Sequence, residues 1–172
     1  MNLPDTDPRR LPQGHLGLLD TPTAQTLLTS TIPARLAYVA LDGTPRIVPT
    51  WFEWTGRELV MATFVAAPHA VRPAHRIRDL KAQPHVAVSI DTETLPSIAL
   101  TMRGEVDVRI VPGVVDEYAA AAHRYLGAAA QGYLAMLDNP VTTMARIALQ
   151  PKWVGLIDFD ARNPQALGGV SR

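Results

Sequence analysis

Between His69 and Lys81 lie His69, Arg72, His75, Arg76, Arg78 and Lys81, with Asp79 the one acid among them. Pro73 falls at the first position of a helix that the pattern predicts up to Gln83, where Pro84 stops it. The basic cluster therefore opens a helix. Arg72 and Arg76 are four residues apart and share a face, with His75 close by. Positive charge at a helix N-terminus opposes the helix dipole. An anion placed there removes the conflict, and free backbone N–H groups at the same place favour a phosphate. The plain alternative is a solvated basic surface helix. The phosphate reading gains weight because the chain is otherwise neutral, with 16 Lys plus Arg against 16 Asp plus Glu.

The second constellation is the run Pro49-Thr50-Trp51-Phe52-Glu53-Trp54. Its two tryptophans could offer a flat apolar wall to an aromatic ring. Alternatively, Trp51 and Trp54 are simply core or dimer interface. The five histidines, His15, His69, His75, His85 and His123, show no metal-binding spacing, so no metal site is expected. There is no nucleophile elbow, no P-loop and no dinucleotide fingerprint. Asp91, Glu93 and Asp107 read as turn and surface acids rather than a glycosidase pair.

The elements that must position these groups are mostly strands. Residues 1–19 read as an arm. Thr21-Pro22 marks a helix start, a hydroxyl cap followed by proline at the first position, and Ile32-Pro33 ends that short helix. Alternation from Ala34 to Asp42, the Asp42-Gly43 turn, the run Arg46 to Trp54, the Thr55-Gly56 turn and the run Glu58 to Val65 predict a three-stranded antiparallel meander. After the basic helix, strands are expected up to Asp91 and from Ser97 to Val111, with Gly104 marking a bulge or a close backbone approach. Val115, Ala119, Ala122 and Leu126 predict a helix face, closed by Gly127. A second helix is expected over Gln131 to Leu137, then two strands, Thr142 to Gln150 and Lys152 to Phe159. The order predicts an α+β, mainly β fold: a barrel of six or seven mostly antiparallel strands with short helices between them. The domain spans 20–160, and 161–172 reads as a tail.

With 172 residues, of which 47% are hydrophobic and 19% charged, the chain is long enough for one domain with a proper core. Balanced charge gives no general attraction to nucleic acid or to anionic membrane. The absence of cysteine excludes disulfides, thiolate catalysis and Cys-ligated metals. The N-terminal residues lack the apolar core of a signal peptide, and apolar runs are far shorter than a membrane span, so a cytoplasmic protein is expected.

The segments ARLAYVALDGTPRIVPTWFEWTGRELVMATF, HRIRDLKAQPHVAVSID, MRGEVDV and ARIALQPKWVGLIDF together resemble the flavin-binding split β-barrel superfamily of pyridoxamine-phosphate oxidases and F420-dependent reductases. The resemblance runs over roughly residues 20–160. Arg78-Asp79-Leu80 is similar to that family's Arg-(Asn/Glu)-Leu element, which puts Arg76 at the phosphate-binding lysine and His75 at the basic residue before it. Arginine grips phosphate well. Val48, Pro49, Thr50 and Trp51 are similar to the segment whose backbone lines the isoalloxazine ring, and Ala62 and Thr63 to the ring- and phosphate-lining end of the next strand. Ala74 stands where a phosphate-binding hydroxyl is common, and Ala99 where some relatives carry a glutamine. The resemblance implies FMN as cofactor, with F420 the alternative, held between the subunits of a homodimer. It implies a flavin-dependent oxidoreductase acting on a small-molecule substrate. A non-enzymatic flavin or haem binder of the same fold is the second hypothesis. No catalytic residue is assigned.

Overall fold

The computed structural model describes residues 11–70 and 74–159. Helix α1 (Pro22–Leu28) starts as the sequence dictates: the Thr21 hydroxyl accepts from the Ala24 N–H at 3.2 Å, and Pro22 takes the first position, where its missing N–H costs nothing. Strands β1 (Ala34–Val39) and β2 (Pro45–Thr50) form a hairpin around Gly43, whose φ of 79° a side chain would resist. Strands β3 (Phe52–Trp54) and β4 (Leu59–Ala66) form a second hairpin. Helix α2 (Arg76–Ala82) follows, then β5 (His85–Asp91), β6 (Ile98–Pro112), α3 (Asp116–Leu126), α4 (Ala130–Leu137) and β7 (Thr143–Asp158). No described helix is long and apolar enough to cross a membrane.

The seven strands make one antiparallel sheet in the order β2-β1-β5-β6-β7-β4-β3. Its two edges, β2 and β3, are separated in the chain by the single residue Trp51. Laid flat, seven strands would hold those edges about 29 Å apart at 4.8 Å per spacing. Thr50 and Cα of Phe52 are within about 7 Å along the chain. The sheet must therefore curl until its edges meet at Trp51, and it does so without closing a hydrogen-bonded ladder between them. The inward side chains, among them Leu36, Phe52, Met61, Val88, Leu100, Met102, Ile147 and Leu149, fill the interior.

This corrects the expected meander. The run from Arg46 to Trp54 is not one strand paired on both sides. Arg46 to Thr50 pairs only with β1, and Phe52 to Trp54 only with β4. The expected pair of final strands is one sixteen-residue strand, β7. Proline at 151 is absorbed by a bulge, where the register shifts between Arg103 and Gly104. Gly104 fulfils both parts of its reading: a Cβ there would stand 2.2 Å from the Gln150 carbonyl oxygen.

Residues 11–19, expected as arm, lie against the sheet. The Gln13 side chain bonds Leu156 through both its amide groups, at 2.7 and 2.9 Å, and a 3₁₀ turn, Leu16–Asp20, buries Leu18 and Leu19. Helix α2 begins at Arg76, and Pro73 and Arg72 lie outside the described residues. Helix α3 ends at Gly127 as expected, at φ 56°. Its covering face also carries Tyr118 and Tyr125, which the expected stripe omitted.

Candidate functional site

The place where the sheet edges part is a seam. On one side runs β2, paired only with β1. On the other runs β4, which pairs with β3 only over Leu59, Val60 and Met61. From Ala62 to Ala66 that flank of β4 has no ladder partner among the described residues. Two lengths of backbone with free hydrogen-bonding groups thus diverge from the corner at Trp51. Pro45 and Pro49 sit on β2, a placement that edge strands tolerate because the lost N–H breaks no central ladder.

Strand pleating divides the residues that the sequence singled out. Val48 packs on the main core, opposite inward-facing Leu36, and Thr50 lies opposite buried Ala34, so both look into the curled sheet. Thr63, buried and of the same parity as Met61, looks the same way. Pro49 faces out and is exposed. Trp51 and Ala62 look out beneath the α3–α4 pair. The Trp51 indole stacks on Tyr125 at 5.1 Å between ring centroids and 11° between planes, on Tyr118 at 5.9 Å, and meets Tyr133 edge-on at 6.1 Å. Ala62 packs with Val115 and Met144. The Trp51 face is thus taken up within its own chain, while its backbone remains at the seam.

Of the basic cluster, Arg76 turns inward. Its Nη2 donates to Oγ1 of Thr63 at 2.5 Å. Burial pulls its guanidinium below the ordinary arginine value, with Tyr38 opposing that shift. Tyr38 is on β1 and Thr63 on β4, so Arg76 stands where the two sides of the open sheet come together. No carboxylate pairs with it among the described residues. His75, Arg78 and Lys81 are exposed on the solvent side of α2, and the His75 side chain makes no cap hydrogen bond. His69 lies edge-on to Phe64 at 4.9 Å. Arg76 and Thr63, both singled out in the sequence, are thus brought together by the fold, and Arg72 falls outside the described residues.

Sequence reasoning missed three contributors. Tyr38, one of the alternating residues of β1, was read only as strand. Asp79, on the inner side of α2, is buried, and its Oδ1 has no hydrogen-bond partner. Arg124 on α3 holds the corner: it donates to the Phe52 carbonyl, to Glu53 and, at 3.0 Å, to the Ser30 carbonyl. Tyr125 beside it donates to the Ile32 carbonyl at 3.1 Å. No spacing in the sequence marks these long-range contacts.

A half-buried cation with no carboxylate beside it among the described residues, a neighbouring hydroxyl and two open backbone edges together suit a flat, phosphorylated organic molecule. Two concavities lie elsewhere. One, of about 570 Å3, is on the outer face of β1, β5 and β6, between Ala37, Val39, Ala87 and Trp153. The other, about 610 Å3, lies along the exposed side of α2.

An open, curled antiparallel sheet with its seam between consecutive strands defines a split barrel. The sequence matches no family model and no curated protein. Among solved structures, the chain is similar to an F420 reductase, with 27% identity and a TM-score of 0.60 over 76% of this chain and 94% of that one. It is similar to a pyridoxinephosphate-oxidase-family protein from Clostridium acetobutylicum related to general stress protein 26, with 14% identity and a TM-score of 0.53 over 83% and 89%. A haem storage protein from Vibrio cholerae matches with 17% identity and a TM-score of 0.52 over 80% and 92%. These likenesses show the fold: the chain is a mainly β split barrel, as the sequence predicts.

Proposed function

We propose that the protein is an oxidoreductase that holds a phosphorylated tricyclic cofactor, F420 or FMN, in the seam and acts as a homodimer on a small-molecule substrate. The observation that carries this reading is Arg76: a half-buried guanidinium that meets a buried hydroxyl, Thr63, and no carboxylate. A buried charge without a counter-ion is costly unless a ligand supplies one. Arg76 and Thr63 would take the phosphate, with His75 at the solvent side. The backbone of Val48, Pro49, Thr50 and Trp51 and that of Ala62 would line the ring. The 27% identity with an F420 reductase favours F420 over FMN.

When bound, either ring system supplies hydride transfer, and the protein supplies position and electrostatics. Trp51, clamped between tyrosines, keeps the corner rigid. The nearest phenol pair, Tyr118 and Tyr133, has its hydroxyls 2.5 Å apart, and burial holds the Tyr118 hydroxyl well above the usual tyrosine range. It stays protonated near neutrality and acts only through hydrogen bonds.

The dimer is supported by the outer-face concavity and by exposed Ile47, Val39 and Leu41 on the adjoining hairpin. Light scattering is expected to give twice 18.7 kDa, and a monomer at micromolar concentration would refute this part. For the site, purified protein is titrated with FMN, F420 and haemin and followed by absorbance and fluorescence. The reading expects tight binding of one of the first two. Turnover with a nicotinamide or deazaflavin donor and a panel of acceptors then separates an enzyme from a carrier. Binding of haemin alone would favour the second reading, a haem-binding protein, for which the fold of the Vibrio protein is the support.

A further inference from the structure

The solvent side of α2 carries charge that the seam does not use. His75, Arg78 and Lys81 follow one another at three-residue spacing, and the backbone of His75 is already helical, at φ −54° and ψ −32°. The three cations therefore run as one stripe along the helix. All are exposed, and all line the concavity of about 610 Å3 on this side. Ala74, Ile77 and Ala82 complete its walls and leave room between the cations. The one carboxylate of this stretch, Asp79, is buried, with its Oδ1 3.7 Å from Arg78 Nη2. Among the described residues, neither His75 nor Lys81 meets a carboxylate.

A solvated helix face ordinarily mixes its signs, and this chain has 16 acidic residues to set against its 16 basic ones. Like charges at this spacing repel one another. A ligand with several negative charges relieves that repulsion, and one with a single charge does so only in part. The groove begins at Ala74 and His75, the residues immediately before Arg76, which turns inward to Thr63. From residue 75 to residue 81 the stripe extends about 9 Å along the helix axis. A ligand that places a phosphate at Arg76 and continues beyond it meets His75 first, then Arg78 and Lys81. The two candidate cofactors differ at this point. FMN ends in a phosphate monoester. In F420 the phosphate is a diester, and the molecule continues through a lactyl unit into linked glutamates, each of which adds a carboxylate.

We infer that the groove on the solvent side of α2 is a subsite for the carboxylates of an acidic tail that continues beyond the cofactor phosphate, as the glutamyl tail of F420 does. This rests on the reading of the seam as a cofactor site. Arg76 and the stripe then serve different parts of one ligand, the phosphate and the tail. The choice of F420 over FMN thereby gains a basis in this chain's own residues.

The test compares F420 carrying several glutamates, F420 cut back to its phospholactate, and FMN, by fluorescence titration at low and high salt. The parent should bind the glutamylated form about three- to thirtyfold more tightly than the phospholactate form at low salt. That gap should narrow as salt rises, because the contacts are exposed. Arg78→Gln combined with Lys81→Gln should remove most of the gap and leave the phospholactate form and FMN unchanged. Arg78→Lys combined with Lys81→Arg, which keeps both charges, should retain it. The melting temperature of the ligand-free Gln variant should hold or rise, because like charges have been removed. Equal affinity of the parent for the two F420 forms, a gap that survives in the Gln variant, or an equal loss of all three ligands there would each overturn the assignment. If the parent binds the phospholactate form or FMN and ignores the glutamates, the tail subsite alone fails. If it binds none of the three, the cofactor reading itself fails, and that result is visible before any variant is made.

Discussion

Arg76 Nη2 and Thr63 Oγ1 lie 2.5 Å apart, although one residue opens helix α2 and the other sits on β4, whose side of the open sheet ends at the edge opposite β2. A guanidinium that is half buried and, among the described residues, hydrogen-bonded to a neutral hydroxyl keeps most of its capacity to bind an anion. Arg76→Ala should weaken FMN or F420 by one to two orders of magnitude, the worth of a charge-assisted hydrogen bond. Arg76→Lys should recover part of it. Ligand-free stability should change little, as read by urea unfolding. Unchanged titrations with both cofactors would remove Arg76 from the site.

Thr50 faces into the curled sheet at the last residue of β2, beside the corner where β2 and β4 part. Thr50→Trp would fill the seam there. The expected result is loss of FMN and F420 binding with the oligomeric state kept, measured by fluorescence titration and light scattering. If the variant binds as the parent does, the ring lies elsewhere.

Arg124 joins α3 to the segment before β1 and to β3 through the Ser30 and Phe52 carbonyls and Glu53, with its guanidinium 4.9 Å from the Phe52 ring centroid. Arg124→Ala strands those acceptors and should cost about 2–4 kcal/mol in urea unfolding. Arg124→Lys should recover only part, because an ammonium cannot span three acceptors in a fixed fork. A loss below about 1 kcal/mol would show that the corner is held by the aromatic stack instead.

The local signals in the sequence were readable and the non-local ones were not. Asp42-Gly43 and Thr55-Gly56 both become hairpin turns, and Thr21-Pro22 becomes a capped helix start, because each is decided by the few residues around it. The break at Trp51 was invisible: the β-branched and aromatic run continues from Arg46 to Trp54, and only the identity of the partner strands reveals that one half belongs to each edge. Pro151 read as an end of strand because a missing N–H usually is one, yet the bulge opposite Gly104 accommodates it. Of the candidate residues, Arg76 was singled out by charge and Thr63 by family likeness, and the fold brings the two side chains together. Asp79 was not, since an aspartate on a helix is ordinarily solvated and only burial makes it unusual.

Gly104 has no room for a side chain. Gly104→Ala places a methyl 2.2 Å from the Gln150 oxygen, so one of the two long strands must move. A loss of about 2–3 kcal/mol is expected. Gly132→Ala is the control. Gly132 is exposed on α4 with nothing within 4 Å of its added methyl, and should gain up to about 1 kcal/mol. Equal effects of the two, by chemical denaturation, would contradict this account of the bulge.

Glu117 on α3 accepts from Arg146 on β7 at 2.6 and 3.0 Å, and that hydrogen bond, opposed by partial burial, holds its carboxyl below the usual glutamate value. A depressed folded value means the pair's stabilisation is present above the unfolded glutamate value, about 4.3, and is lost as pH falls through the folded one. Glu117→Gln should lower stability near neutrality and flatten its decline below about pH 4.3. Identical acid limbs for parent and variant in pH-dependent melts would refute it.

The strand order has a consequence for how the molecule is made. Strand β7, the last of the described strands in sequence, lies between β6 and β4 in the sheet. Until residues 143–158 emerge from the ribosome, β2, β1, β5 and β6 can form a four-stranded half, while the β3–β4 hairpin has no strand of its own sheet to join beyond itself. Thr63 travels with that waiting hairpin, and Arg76 with the helix that follows it. During synthesis Thr63 therefore belongs to an unattached hairpin while Arg76 sits on a helix that packs on β1 and β6, and the seam comes into being only when the last described strand is placed between the halves.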